Sequence, residues 1–141
     1  MLVVSGPKVS PLVRELASQL SVDFDFDYAY VTDHFQSDAR SSNHTFIVLP
    51  AASKIGSNVV KALDAKKPVL YHGIAHTLGG NILQFPALTG FSTSYTRLPL
   101  GKSHILGTNA ALISAFQTTN NARIAFVGST DFFSNVYVRS P

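Results

Sequence analysis

Leu2-Val3-Val4-Ser5-Gly6-Pro7-Lys8-Val9-Ser10-Pro11-Leu12-Val13-Arg14-Glu15-Leu16-Ala17-Ser18-Gln19-Leu20 changes its hydrophobic period part-way along, and that change decides the fold class. Leu2-Val3-Val4 is a short apolar run closed by Ser5-Gly6-Pro7, where glycine permits unusual dihedrals and proline cannot continue a ladder. It reads as a buried strand with its exit turn. Beyond Ser10, residues Leu12, Val13, Leu16, Ala17 and Leu20 recur at helical spacing, with Ser10 as N-cap and Pro11 in the first helical position. A strand that passes through a tight turn into an amphipathic helix is half of a βαβ unit. It predicts an α/β domain with a partly parallel sheet.

Further along, Asp23-Phe24-Asp25-Phe26-Asp27 alternates like a strand, but three acids on one face would keep that face in water, which predicts an exposed edge or loop. It leads into Tyr28-Ala29-Tyr30-Val31. Residues 36–44 are polar and read as a surface loop before the strand Thr45-Phe46-Ile47-Val48-Leu49, ended by Pro50. Val59, Val60 and Leu63 support a short helix or turn. Pro68-Val69-Leu70-Tyr71-His72-Gly73 repeats the strand-then-glycine form, and the Gly/Leu/Pro-rich residues 73–90 predict irregular structure. Phe91-Ser92-Thr93-Ser94-Tyr95-Thr96 has strand composition with one polar side. Ala110-Ala111-Leu112-Ile113-Ser114-Ala115-Phe116-Gln117 suits helix or strand. The turn chemistry of Thr118-Thr119-Asn120-Asn121 before Arg123-Ile124-Ala125-Phe126-Val127 favours a C-terminal antiparallel hairpin.

A length of 141 residues fits one α/β domain, or an internal segment of a larger one. Only 13% of residues are charged, so the surface is short of charge and is expected to be covered by partners. The 11 Lys and Arg against 8 Asp and Glu are scattered, which argues against nucleic-acid binding. With 0 cysteines, thiol nucleophiles and cysteine-ligated zinc or iron–sulfur sites are excluded. No apolar run reaches the ~18 residues that span a bilayer. Ser5-Gly6-Pro7 interrupts any signal-peptide core starting at Met1, so contact with a membrane is expected only through flanking segments or partners.

Gly90-Phe91-Ser92-Thr93-Ser94-Tyr95, then Ala115-Phe116-Gln117 with Asn120-Asn121-Ala122-Arg123, then Gly128-Ser129-Thr130-Asp131-Phe132-Phe133-Ser134, form an ordered series of blocks. In order and spacing they resemble the luminal domain of the DDOST-type 48-kDa subunit of the oligosaccharyltransferase. Tyr30-Val31-Thr32-Asp33-His34-Phe35 resembles an earlier block of the same family. The ending from Ala122 to Phe132 also looks like the closing strand and turn of glutamine-amidotransferase-like α/β domains. The resemblance implies a Rossmann-like, mainly parallel sheet. It further implies a place in the endoplasmic-reticulum lumen beside the ribophorin II-type and DAD-type subunits, with catalysis in a separate membrane-embedded subunit.

Candidate chemistry is sparse. His72 and His76 have the i, i+4 spacing of many zinc sites, but Gly73 and the composition after it oppose a helix and no third ligand is near, so no metal is expected. Asp33 beside His34 could form an orienting pair, although adjacent strand residues point to opposite faces. Ser92, Ser94, Ser129 and Ser134 lack a Gly-x-Ser-x-Gly elbow, and the cysteine nucleophile of amidotransferases is missing. Asp131 fits a turn acceptor better than a ligand-binding group. Gly79-Gly80 lacks the setting and the Lys-Ser/Thr ending of a phosphate loop. Asn43-His44-Thr45 is an N-glycosylation sequon in a polar loop. Tyr28, Tyr30, Phe91 and Tyr95 could serve as flat platforms, against the simpler reading of half-buried strand packing. The expected function is therefore an accessory one, with no catalytic residue and no cofactor. Asp33, His34, Ser129 and Asp131 remain as a candidate ligand or partner surface, and Asn43 as a glycan acceptor. The competing expectation is a carbohydrate- or small-ligand-binding domain using the strand ends near Ser5-Gly6, His72-Gly73 and Gly128-Ser129.

Overall fold

The computed structural model describes residues 1–39, 42–49, 68–98, 101 and 103–135. Strand β1 (Leu2–Val4) passes to helix α1 (Pro11–Gln19), as the change of period predicts. Ser10 is the N-cap: its backbone is extended and its hydroxyl accepts from Val13 N at 3.3 Å, with Pro11 opening the helix. The chain leaves α1 through Ser21, whose φ of 57° turns it into β2 (Val22–Phe24). α1 buries Ala17, with Val13 and Leu20 alongside, against Val9, Val22, Phe24, Ile74 and Phe126.

The remaining strands are β3 (Tyr30–Thr32), β4 (Ile47–Leu49), β5 (Val69–Tyr71), β6 (His76–Leu78), β7 (Gln84–Thr89), β8 (Tyr95–Arg97), β9 (Ser103–Leu106), β10 (Ala111–Gln117) and β11 (Arg123–Val127). The main sheet runs β1-β11-β10-β6-β2, with β7 also on β10; β3-β8-β9 and β4-β5 form smaller sheets. A second core, Val31, Ile47, Leu49, Tyr71, Leu88, Ile105 and Leu112, joins strands of all three.

The C-terminal hairpin is present: Ile113 pairs with Val127 and Gln117 with Arg123, and Asn121 takes the turn's positive φ of 66°. The mainly parallel sheet is not. Among the described strands β1 and β11 pair parallel, and every other pairing is antiparallel. A parallel neighbour needs a long crossover, and the short link from β10 to β11 reverses the chain instead, while β6 and β7 both run antiparallel to β10. The stretch 73–90, expected to be irregular, holds β6 and β7, because both find partners on β10. Val59, Val60 and Leu63 lie outside the described residues.

The acidic alternation is corrected in part. β2 does lie at the edge of the sheet, but its acids do not share a wet face. Asp25 is buried, with His104 Nδ1 at 2.9 Å and Phe26 N at 2.7 Å from its Oδ1. Arg14 on α1 donates to the carbonyls of Phe24 and Asp25 and to Asp27 Oδ1, so one guanidinium fastens the segment to the helix. Asp27, held by Arg14 and by Val9 N, sits below the usual carboxylate range.

Candidate functional site at the strand ends

Three strands deliver their exits to one place. Ser5 N, after β1, donates to Val127 O at 2.9 Å, and Ile74 N, after β5, donates to Gly128 O at 2.9 Å. Contact at the second junction is backbone on backbone. A Cβ on Gly73 would stand 2.3 Å from Gly128 O, and one on Gly128 would stand 2.1 Å from Ile74 O. Both distances are far inside van der Waals contact, so only glycine fits at either position. Tyr71 closes the junction from below, its hydroxyl donating to Ile74 O at 2.8 Å.

On this frame the His72 imidazole lies stacked between Phe46 (4.1 Å between centroids, 3° between planes) and Tyr30 (4.8 Å, 14°). Its Nδ1 is 2.8 Å from Asp131 Oδ2, in the short turn Asp131–Phe133 that follows β11. Ser129 is buried beneath; its hydroxyl donates to the His72 carbonyl and accepts from Phe132 N. That hydroxyl is thus engaged on both sides and has no base of its own, which is a positioning role and not that of a nucleophile. Burial, then the Asp131 charge and Tyr28, hold the Tyr30 phenol above its ordinary pKa.

The Asp33 block forms an adjoining cluster at the exit of β3. Asp33 is fully buried, and its carboxylate accepts four bonds: Phe35 N (2.9 Å) and Gln36 N (3.1 Å) on Oδ1, Thr93 Oγ1 (2.7 Å) and Ser94 Oγ (2.8 Å) on Oδ2. Burial acts to raise its pKa; the hydrogen bonds from Thr93, Phe35, Ser94 and Gln36 outweigh it and hold the group below the usual carboxylate range. His34 turns the other way, into solvent. Its Nε2 is 2.8 Å from Tyr95 Oη, and its ring meets His44 edge to face at 4.7 Å. Asp33 and His34 therefore serve opposite sides, the carboxylate turned inward onto its own turn and the imidazole outward.

The two histidines at i, i+4 also part company. His72 faces Asp131, while His76, on β6, is buried with Nε2 2.7 Å from Ser114 Oγ and its ring against Phe24. Burial pushes the His76 pKa down to about 3, so its imidazole is neutral at physiological pH. Among the described residues no group of three or more His, Asp or Glu side chains is placed to hold a metal ion. Asn43 is exposed in its loop, and Phe91 packs against the second core with its N–H on Ser94 Oγ.

Sequence reasoning found Asp33, His34, Ser129 and Asp131, and the structure places them in two adjoining clusters joined by β3. It missed Phe46, His44 and Thr93 as their partners. The Asp33 turn had a local signal, an Asp accepting from the N–H groups two and three residues on. The stacking of Phe46 and Tyr30 on His72 had none, because those residues meet only in the folded chain.

Fold and site together define a mixed α/β domain whose buried polar groups are used to fasten loops and strand ends to one another. The OST48 N-terminal domain family model matches residues 1–141, and the chain belongs to that family. Among its relatives are proteins named dolichyl-diphosphooligosaccharide–protein glycosyltransferase 48 kDa subunit. The one from Danio rerio is 33% identical over 99% of this chain, that from Arabidopsis thaliana 32% over 99%, and that from Caenorhabditis elegans 30% over 97%. The chain spans about a third of the length of these relatives (33%, 34% and 33%). A solved structure, the "mmIFT52 N-terminal domain", matches with a TM-score of 0.67 at 14% identity, covering 97% of this chain and 56% of that one; the likeness is one of fold.

Proposed function

We propose that this domain is a non-catalytic, accessory part of the oligosaccharyltransferase, held on the luminal side of the endoplasmic-reticulum membrane by the other subunits of the complex. Catalytic, ribophorin II-type and DAD-type subunits are the partners to look for. The observation that carries this reading is the family match over residues 1–141, with relatives named for that enzyme's 48 kDa subunit. The chemistry agrees with it. The Asp33 carboxylate and the Ser129 hydroxyl, which could have acted on a substrate, are engaged in bonds that hold loops. Exposed Phe26, Tyr28 and Phe133 offer apolar contact on a chain short of charge. Affinity purification of the tagged protein from mild-detergent extracts of its own membranes tests this. Stoichiometric recovery of the other oligosaccharyltransferase subunits is expected, and recovery without them would refute it.

The parallel β1–β11 pair, with α1 after β1 and strand exits meeting at one end, also supports descent from a Rossmann-like, glutamine-amidotransferase-like ancestor whose sheet has since been rebuilt with antiparallel strands. That convergence favours one second reading: a small ligand, such as a sugar, bound beside His72 at the strand ends. Chemical-shift titration with mono- and disaccharides, repeated on His72→Ala, would reveal it as saturable shifts that the substitution abolishes.

A further inference from the structure

We propose that Asn43 is an occupied N-glycosylation site, so that the surface carrying it faces the lumen and not a neighbouring subunit. The sequence supplies the chemistry: Asn43-His44-Thr45 has the hydroxyl two residues on and no proline between. The structure supplies the setting. Asn43 is exposed in a turn, and among the described residues no hydrogen bond engages its side-chain amide. The chain just after it is fixed. His44 adopts a φ of 55°, its carbonyl accepts from Asp33 N at 3.1 Å, and its Nδ1 meets Ser37 Oγ at 2.8 Å. Two residues later Phe46 O accepts from Asp38 N at 2.8 Å. A bulky, hydrated glycan on Asn43 would thus displace no packing, while the root of the loop stays anchored to the domain.

The surroundings make the position suited to a glycan and not to a protein contact. His34 and Phe35, the latter 80% exposed, belong to the turn hydrogen-bonded to the Asn43 loop, so the glycan would stand over the exposed side of the Asp33 cluster. A chain with 13% charged residues gains hydration there that its own side chains do not supply.

This inference rests on the luminal placement proposed above, and its test separates the two. The protein is isolated from its own cells. Peptides containing Asn43 are read by mass spectrometry after glycosidase release in heavy-oxygen water, which marks each formerly glycosylated asparagine as a labelled aspartate. Label on Asn43 is expected, together with a gel-mobility shift that Asn43→Gln and Thr45→Ala both abolish. A companion variant, Leu83→Thr, turns Asn81-Ile82-Leu83, beside the 95% exposed Ile82, into a control sequon. If the control asparagine is labelled and Asn43 is not, the glycosylation proposal is overturned while luminal placement stands. If neither is labelled, luminal placement fails and the proposal with it.

Discussion

Asp33→Ala removes one carboxylate that joins the β3 exit to the loop before β8. In the folded protein Asp33 is fully buried and accepts from two backbone N–H groups and two hydroxyls. Truncation leaves all four donors without an acceptor. A buried unsatisfied donor costs about 1–3 kcal/mol, but the Thr93 and Ser94 hydroxyls can rotate to other acceptors and water can enter the vacated space. The Phe35 and Gln36 N–H groups cannot rotate, so the expected loss is about 2–5 kcal/mol, the cost of two buried backbone donors left without an acceptor. Asp33→Asn should lose less, about 1–3 kcal/mol, since the amide oxygen still accepts from one pair of donors. Urea unfolding followed by circular dichroism measures both. The same carboxylate predicts a pH dependence. Its folded pKa lies below the 3.8 of an unperturbed aspartate, so its contribution is complete above that value and is lost as pH falls through the folded pKa. An Asp33→Ala protein within about 1 kcal/mol of the parent at pH 7, less than a single unsatisfied buried donor should cost, would refute the reasoning.

The Gly128→Ala protein should fail to fold or lose more than about 3 kcal/mol, because its Cβ would stand 2.1 Å from the Ile74 carbonyl and the strand ends would have to separate. Soluble expression and thermal melting check this, and a melting temperature equal to that of the parent would overturn the close-approach argument. His76 predicts a stability loss at mildly acid pH. Its folded pKa of about 3 lies below the 6.5 of a histidine in the unfolded chain, so the unfolded chain takes up a proton between those values that the folded chain refuses. Stability should fall as pH drops through this window, at up to roughly 1.4 kcal/mol per pH unit for one proton. His76→Asn should flatten the curve between pH 6 and 4, and an unchanged slope would show that the buried imidazole is not the cause.

The β1–α1 unit was legible in the residues because its determinants are local. Ser10 caps Val13 three residues on, and Pro11 fixes its own φ. The C-terminal hairpin was legible for the same reason, its turn chemistry lying between two apolar runs. Sheet direction was not, since the pattern of a buried strand is the same whichever way its neighbour runs, and only tertiary pairing placed β6 and β7 against β10. The site divides likewise. The sequence by itself determined that there could be no thiol chemistry and that Asn43 stood in an acceptor triplet. Tertiary structure decided that His72 faces Asp131 between Phe46 and Tyr30 while His76 is buried against Ser114, and that Asp33 also binds Thr93 and Ser94. The physical reason is range: caps and turns are closed by hydrogen bonds between residues a few positions apart, whereas stacking partners and buried acceptors are chosen by which distant segments the packed core brings within contact.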